Sequence, residues 1–221
     1  MMKIAPSLCI LMCLASSGVS ALSVTVSDSD NSPVRDAVVV IFPENPEAVG
    51  TPALAERVSV QQKNRAFAPK VSVIPVNQQV YFPNNDDVLH HVYSFSPAKT
   101  FEFALYGNNE SPGINFDKAG VIVLGCNIHD QMRGYIYVTD APYYGLSGED
   151  GKLAFPLPNS LPYPHRYRVE IWHPEQESQE PVAETVVIEN AQQFDSGLKF
   201  SLNLRERREE SLDRFEQGDY E

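Results

Sequence analysis

Short runs in which apolar and polar residues alternate recur along the chain, cut often by proline and glycine, and this period of two predicts strands. Val24 to Val26 and Ala37 to Ile41 read as two strands joined by the polar turn Ser27 to Arg35. Val71 to Ile74 and Gln79 to Phe82 follow, separated by a break at Pro75, and Val92 to Phe95 comes next. Val121 to Leu124 and Tyr135 to Val138 flank a short polar segment. Leu153 to Phe155, Tyr167 to Trp172, Thr185 to Ile188 and Leu198 to Leu202 complete the series. No long amphipathic helical pattern appears in the body of the chain, so the expected fold class is all-β. Residues 204–221 read as a charged tail, a frayed helix or disordered chain, to which no chemistry is assigned.

The first residues depart from this pattern. Lys3, the apolar run Leu8 to Ala15 and the small residues Val19-Ser20-Ala21 match the three parts of an export signal. The apolar run is shorter than the ~20 residues a bilayer-crossing helix needs, and no later stretch is apolar enough to span a membrane. Residues 1–21 are therefore expected to be removed, leaving a soluble protein in the periplasm. The formal charge of −12 becomes −13 on that removal, because the segment holds one base, Lys3, and no acid. Such acidity argues against nucleic-acid binding, which needs a basic footprint. Of the three cysteines, Cys9 and Cys13 go with the signal and only Cys126 remains. No intramolecular disulfide is then possible, and a lone thiol in an oxidising compartment calls for burial or occupation.

The neighbours of Cys126 supply the chemistry. Gly125-Cys126-Asn127-Ile128-His129-Asp130-Gln131-Met132 places a thiolate, an imidazole and a thioether on one short loop. Two histidines and a cysteine in a near-trigonal array, with a weak axial methionine, suit copper cycling between Cu(I) and Cu(II). Zinc prefers four strong ligands, and methionine is a poor one. The second histidine must come from elsewhere, and Asn84 to Val92 offers His90 and His91. Which of the two binds is open, and strand register with Val92 on the core side favours His90. His165 and His173 read as packing or surface residues. The aromatic residues Tyr93, Phe95, Phe101, Phe103 and Tyr106 read as core and loop packing ahead of a docking face, and Asp28 to Asp30 as a solvated turn ahead of a calcium loop. No nucleophile elbow or comparable signature appears, and the chain is not expected to be an enzyme.

On these residues the stretch Phe67 to Val138 resembles the cupredoxin family of plastocyanin, pseudoazurin and amicyanin. Phe67-Ala68-Pro69 and Val80 to Asn84 look like the family's opening strands, His90-His91-Val92 stands at its His-Asn-Val run, and Cys126, His129 and Met132 match its loop with the short amicyanin spacing. More closely, His90 to Ser96 and Gly125 to Asp130 are similar to bacterial methylamine utilization proteins, a label of genomic association that does not make methylamine the substrate. The resemblance implies one type 1 copper ion held by His90, Cys126, His129 and Met132. It implies electron exchange with a periplasmic redox partner, whether a c-type cytochrome, a dehydrogenase or an oxidase subunit. It also implies that Asn85 ties the ligand segments together by hydrogen bonds and that the His129 ring lies near the surface. His91 replaces the family's asparagine and Ile128 its proline, the second change bearing on loop rigidity. A copper-delivery protein, or a structural module with a vestigial site, are the alternative functions.

The two ends of the chain look like halves of a second module. Val24 to Ile41, with Pro33-Val34 and Asp36, is similar to the opening of a prealbumin-like (carboxypeptidase regulatory-like) β-sandwich, and Gly148 to Leu153, Leu157-Pro158 and Tyr167 to Ile171 resemble its continuation. The expected organisation is a Greek-key cupredoxin sandwich at 56–140 inserted between 22–55 and 141–203 of that second sandwich. Two sequential sandwiches are the alternative, and an insertion is tolerated where the termini of the inserted piece lie close together.

Overall fold

The run Val38-Val39-Val40-Ile41 has no alternation, and its place in the fold explains why. A β-branched segment with no polar face suits a strand buried on both sides. In the computed structural model, which describes residues 21–44, 52–108, 110–157, 163–178 and 180–205, the strand β2 (Val38–Pro43) has that position. Val39 and Ile41 point into one core and Val38 and Val40 into another, all four fully buried. Residues 1–20, nearly all of the export signal read from the sequence, and the tail beyond residue 205 lie outside the described residues.

Among the described residues, four larger sheets stack around three cores. The first contains β1 (Leu22–Asp28), β14 (Lys152–Phe155) and β17 (Leu198–Leu202), in the order β14-β1-β17, with β1 and β17 parallel. Facing it is a sheet of order β13-β2-β15-β16, made of β2, β13 (Tyr143–Leu146), β15 (His165–Trp172) and β16 (Val182–Ile188). Between them lies a core of Val24, Val26, Val39, Ile41, Val169 and Ile171 among others. A short helix, α1 (Ala191–Ser196), adds Phe194 to that core; its N-cap Asn190 accepts the Gln193 N–H at 3.0 Å. The turn entering β14 requires a glycine: Gly151 has φ 71°, and a Cβ there would stand 2.4 Å from the Val26 carbonyl oxygen.

The second pair of sheets carries the middle of the chain. One has the order β6-β12-β11-β8-β9, built from β6 (Val71–Pro75), β8 (His90–Ser96), β9 (Lys99–Tyr106), β11 (Gly120–Gly125) and β12 (Arg133–Thr139). The other has the order β10-β7-β3, from β3 (Val58–Ser59), β7 (Gln78–Tyr81) and β10 (Gly113–Phe116). A small hairpin of β4 (Gln61–Lys63) and β5 (Ala66–Ala68) stands beside them. Val80, Phe82, Val92, Phe116, Ile122, Leu124 and Ile136 fill the core between these sheets. This architecture is predominantly β and resembles a cupredoxin-like β-sandwich.

The period of two along β12 links the two sandwiches. Ile136 and Val138 face the inner core, while Tyr135 and Tyr137 face outward. There they meet β2 and Trp172 of β15, forming a third core with Val38, Val40, Val71 and Ala141. Tyr135 and Tyr137 lie 5.7 and 6.1 Å from the Trp172 ring, and the Tyr137 hydroxyl donates to Glu170 Oε2 at 2.9 Å. Burial pushes the Tyr137 hydroxyl up to about 12.

Each strand read from the sequence falls within an observed one, although Ala37 and Phe82 lie just outside theirs while remaining buried. The short strands β3, β4, β10 and β13 and the long β9 are additions, while β5 covers Phe67 and Ala68 of the opening strand that the resemblance implied. The aromatic group divides by strand face. Phe101, Phe103 and Tyr106 turn into the core, whereas Phe95 is 74% exposed on the opposite face.

Candidate metal centre

β11 and β12 are antiparallel neighbours in register from Gly120↔Val138 to Gly125↔Arg133. The residues joining them, 126–132, therefore form a loop at one end of the sheet. Cys126 directly follows β11 and Met132 directly precedes β12, so both are fixed by the ladder, with His129 between them. The Met132 N–H donates to the His129 carbonyl at 2.8 Å, closing a turn at the end of the loop. Cys126 is 3% and Met132 2% exposed, and both belong to the inner core.

His90 opens β8, the strand on the other side of β11, where Tyr93 pairs with Gly125. The register shifts between His90 and Val92, a bulge at the place where the chain enters the site. His90 is fully buried on the same side as Val92. Its Nδ1 lies 3.8 Å from the Cys126 Sγ, and His129 Nδ1 lies 3.8 Å from the same sulfur. The ligand atoms of His90, Cys126 and His129 all fall within 4.8 Å of one another, and His129 is half-buried, its ring near the surface. His91, one residue on, points to the other face of the sheet, where its Nε2 meets Glu102 Oε1 at 2.8 Å. The structure thus brings together His90, Cys126 and His129, with Met132 buried in the same core as Cys126, and turns His91 away. Burial lowers the pKa of both His165 and His173, and neither joins the cluster.

The spacing fits a metal with three close donors. With bonds of about 2.0 Å to nitrogen and 2.3 Å to sulfur, a nitrogen–sulfur separation of 3.8 Å subtends roughly 120° at a shared ion, the trigonal arrangement of two imidazoles and one thiolate. That set, with a buried methionine beside it, matches a single type 1 copper site of the two-histidine, cysteine and methionine kind. The same geometry is poor for structural zinc, which takes four strong donors in a tetrahedron.

Asn84 and Asp86 hold the segment before His90, and neither stood out in the sequence. Fully buried Asn84 donates from Nδ2 to the Val88 and Tyr106 carbonyls at 2.9 and 3.0 Å, and its Oδ1 accepts the Asp86 N–H at 2.9 Å. Asp86 Oδ2 lies 2.7 Å from His90 Nε2. Burial alone acts to raise the Asp86 pKa, but hydrogen bonds from the Arg65 N–H, His90 and the Asn64 N–H outweigh it and hold the carboxyl below its ordinary value. The linking role expected of Asn85 is corrected: its side chain is exposed and donates to Gln61 Oε1 at 2.7 Å, away from the ligand loop. An Asn-Asn-Asp run names three short polar residues, and only the path of the backbone decides which of them turns inward.

No family model matches the chain, and no curated protein matches it. Among solved structures, a copper-containing nitrite reductase from Thermus scotoductus SA-01 is 29% identical over 44% of this chain and 27% of its own, with a TM-score of 0.36. The chain therefore spans well under two thirds of that protein. Two amicyanin variants, one in the reduced Cu(I) form at pH 4, are 17% and 16% identical over 46% and 45% of this chain and 98% of theirs, each with a TM-score of 0.36. These are low-identity likenesses to cupredoxin-fold copper proteins; copper itself is indicated by the donor geometry.

Proposed function

We propose that this chain is a periplasmic electron carrier in which His90, Cys126, His129 and Met132 bind one type 1 copper ion. The observation that carries the reading is the convergence of three donor atoms within 4.8 Å of one another. Bound there, copper supplies a one-electron couple between Cu(I) and Cu(II), without bond-making chemistry. The chain's part is to keep donor positions nearly fixed in both states. His90 is fully enclosed and Cys126 and Met132 are clamped between two paired strands, which supports that rigidity. His129 offers the half-exposed edge of the site, and the exposed Leu89 and Ile128 precede the two histidines. Such an edge suits brief contact with a redox partner, a c-type cytochrome, a dehydrogenase or an oxidase subunit.

The division into a cupredoxin domain at 56–140, inserted in a prealbumin-like sandwich of 22–55 and 141–203, belongs to the same proposal. It is supported by one core drawing on residues 22–41 and 155–202 and another on 60–138. Placement among methylamine utilization proteins is likewise proposed, on the His90 to Ser96 and Gly125 to Asp130 phrases, and names no substrate.

The test is a Cu(II) titration of the purified protein followed by visible absorption and electron paramagnetic resonance, beside Cys126→Ala. An intense thiolate-to-copper band with narrow hyperfine splitting, absent from Cys126→Ala, is expected. A colourless protein, or a weak signal indifferent to Cys126, refutes the electron-carrier reading in favour of copper delivery or a structural role.

A further inference from the structure

We propose that Asp86 is a positioning residue of the copper centre, a carboxylate buckle between the β4–β5 turn and His90 that fixes which nitrogen His90 presents to the metal. This rests on the copper reading above and adds a residue to it.

Two separate segments converge on the Asp86 carboxylate, and a third holds its backbone. The turn Asn64-Arg65 joins β4 to β5, and both residues have left-handed backbone, φ 56° and 57°. A two-residue hairpin turn with both central φ positive usually carries glycine at its second position; here it carries Arg65. The Asp86 carboxylate meets this turn directly, accepting the Asn64 N–H at 2.5 Å and the Arg65 N–H at 2.9 Å. Its Oδ2 also reaches His90 Nε2 at 2.7 Å. Asn84 holds the base of the loop through the Asp86 N–H. The carboxylate therefore cannot swing away from the ring without abandoning the turn.

The consequence for His90 follows from donor and acceptor count. An ionised carboxylate only accepts hydrogen bonds, so the proton of a neutral imidazole must sit on Nε2. Nδ1 then carries the free lone pair, and Nδ1 is the atom that lies 3.8 Å from the Cys126 sulfur. Because the ring is fully buried, water offers no competing partner. A carboxylate in this position also makes the imidazole a stronger donor than a neutral acceptor does, which favours the more highly charged copper state.

The first measurement uses the metal-free wild-type protein: ¹⁵N chemical shifts of His90 at a pH where its ring is neutral. A single tautomer protonated on Nε2 is expected, and the opposite tautomer overturns the proposal whether or not copper ever binds. Asp86→Ala is expected to leave a mixture of tautomers and to weaken Cu(II) binding about 10- to 100-fold. Asp86→Asn keeps an acceptor oxygen but no charge, so it should retain the tautomer and lower the Cu(II)-to-Cu(I) affinity ratio about tenfold, a rise in potential of about 59 mV. An unchanged tautomer in Asp86→Ala overturns the positioning role. An unchanged potential in Asp86→Asn overturns the charge role, and serves alone if Asp86→Ala does not fold. Failure of wild type to form a type 1 centre refutes the electron-carrier reading and leaves the tautomer result standing.

Discussion

Trp172 is the only tryptophan of the chain and lies where the two sandwiches meet, 4% exposed, with Tyr135 and Tyr137 of the metal-bearing sheet against its ring. Trp172→Ala removes this contact from the third core without touching the donor loop. Truncating a buried aromatic residue to alanine costs about 3–5 kcal/mol where the site does not collapse. Within that total, each aromatic pair accounts for about 0.5–1.5 kcal/mol. Collapse is opposed here because β2 is packed on both faces: moving Val38 or Val40 toward the cavity would draw Val39 and Ile41 out of the first core. At about 2–4 °C per kcal/mol for a chain of this size, the melting temperature should fall by roughly 6–20 °C. Circular dichroism and guanidinium titration measure the loss, and wild-type tryptophan fluorescence reports whether the contact opens with global unfolding or before it. The visible spectrum of copper-loaded Trp172→Ala should match that of wild type, since Tyr135 and Tyr137 face away from the core that holds Cys126 and Met132. A loss under about 1 kcal/mol, or tryptophan emission of an exposed indole in the native wild type, would refute packing between the two sandwiches.

Gly125 precedes Cys126 and carries the Tyr93 ring, and a Cβ there would stand 2.6 Å from a ring carbon. Gly125→Ala should cost about 1–3 kcal/mol by overpacking, measured by urea midpoint, and most of it should return in a Tyr93→Ala background, where an equal loss would be evidence against the contact. His173 gives a pH dependence. Burial is the main force lowering its pKa from 6.5, and its Nδ1 accepts the Glu175 N–H at 3.2 Å, a bond that only the neutral ring makes. Between the folded pKa and 6.5 the unfolded chain takes up a proton that the folded chain refuses. The contribution is therefore complete above 6.5 and declines as pH falls through that window. Metal-free His173→Gln should show a flatter stability curve from about pH 7 to 5, and an identical slope would remove His173 from the account.

Much of this protein is set by residues close together in the sequence. Period-two alternation marked the strands with one apolar and one polar face, and the unbroken Val38 to Ile41 run belongs to a strand with no polar face. The loop donors were legible for the same reason: Cys126, His129 and Met132 lie three positions apart in turn, so spacing alone places them on one loop. His90 was legible as a type of residue in a suitable register, but its neighbour His91 shares every local property. Strand β8 sends one ring to the thiol and the other to Glu102, and only the packing of Val92 against the opposite sheet decides which.

What tertiary structure alone decided depends on contacts between segments distant in the chain. The β4–β5 turn reaches Asp86 across 21 or 22 positions, and Cys126 meets His90 across 36. Trp172 covers tyrosines of another sheet, so on a strand that alternates as an ordinary half-exposed one the outward Tyr137 is buried and Tyr135 partly so. A local pattern fixes which face of a strand is apolar because the backbone dictates side-chain direction. It cannot say what that face will meet, because the partner is chosen by the packing of whole sheets. The sequence by itself determined the donor types and most of the strands; tertiary structure determined which histidine, which carboxylate and which aromatic face complete the site and its support.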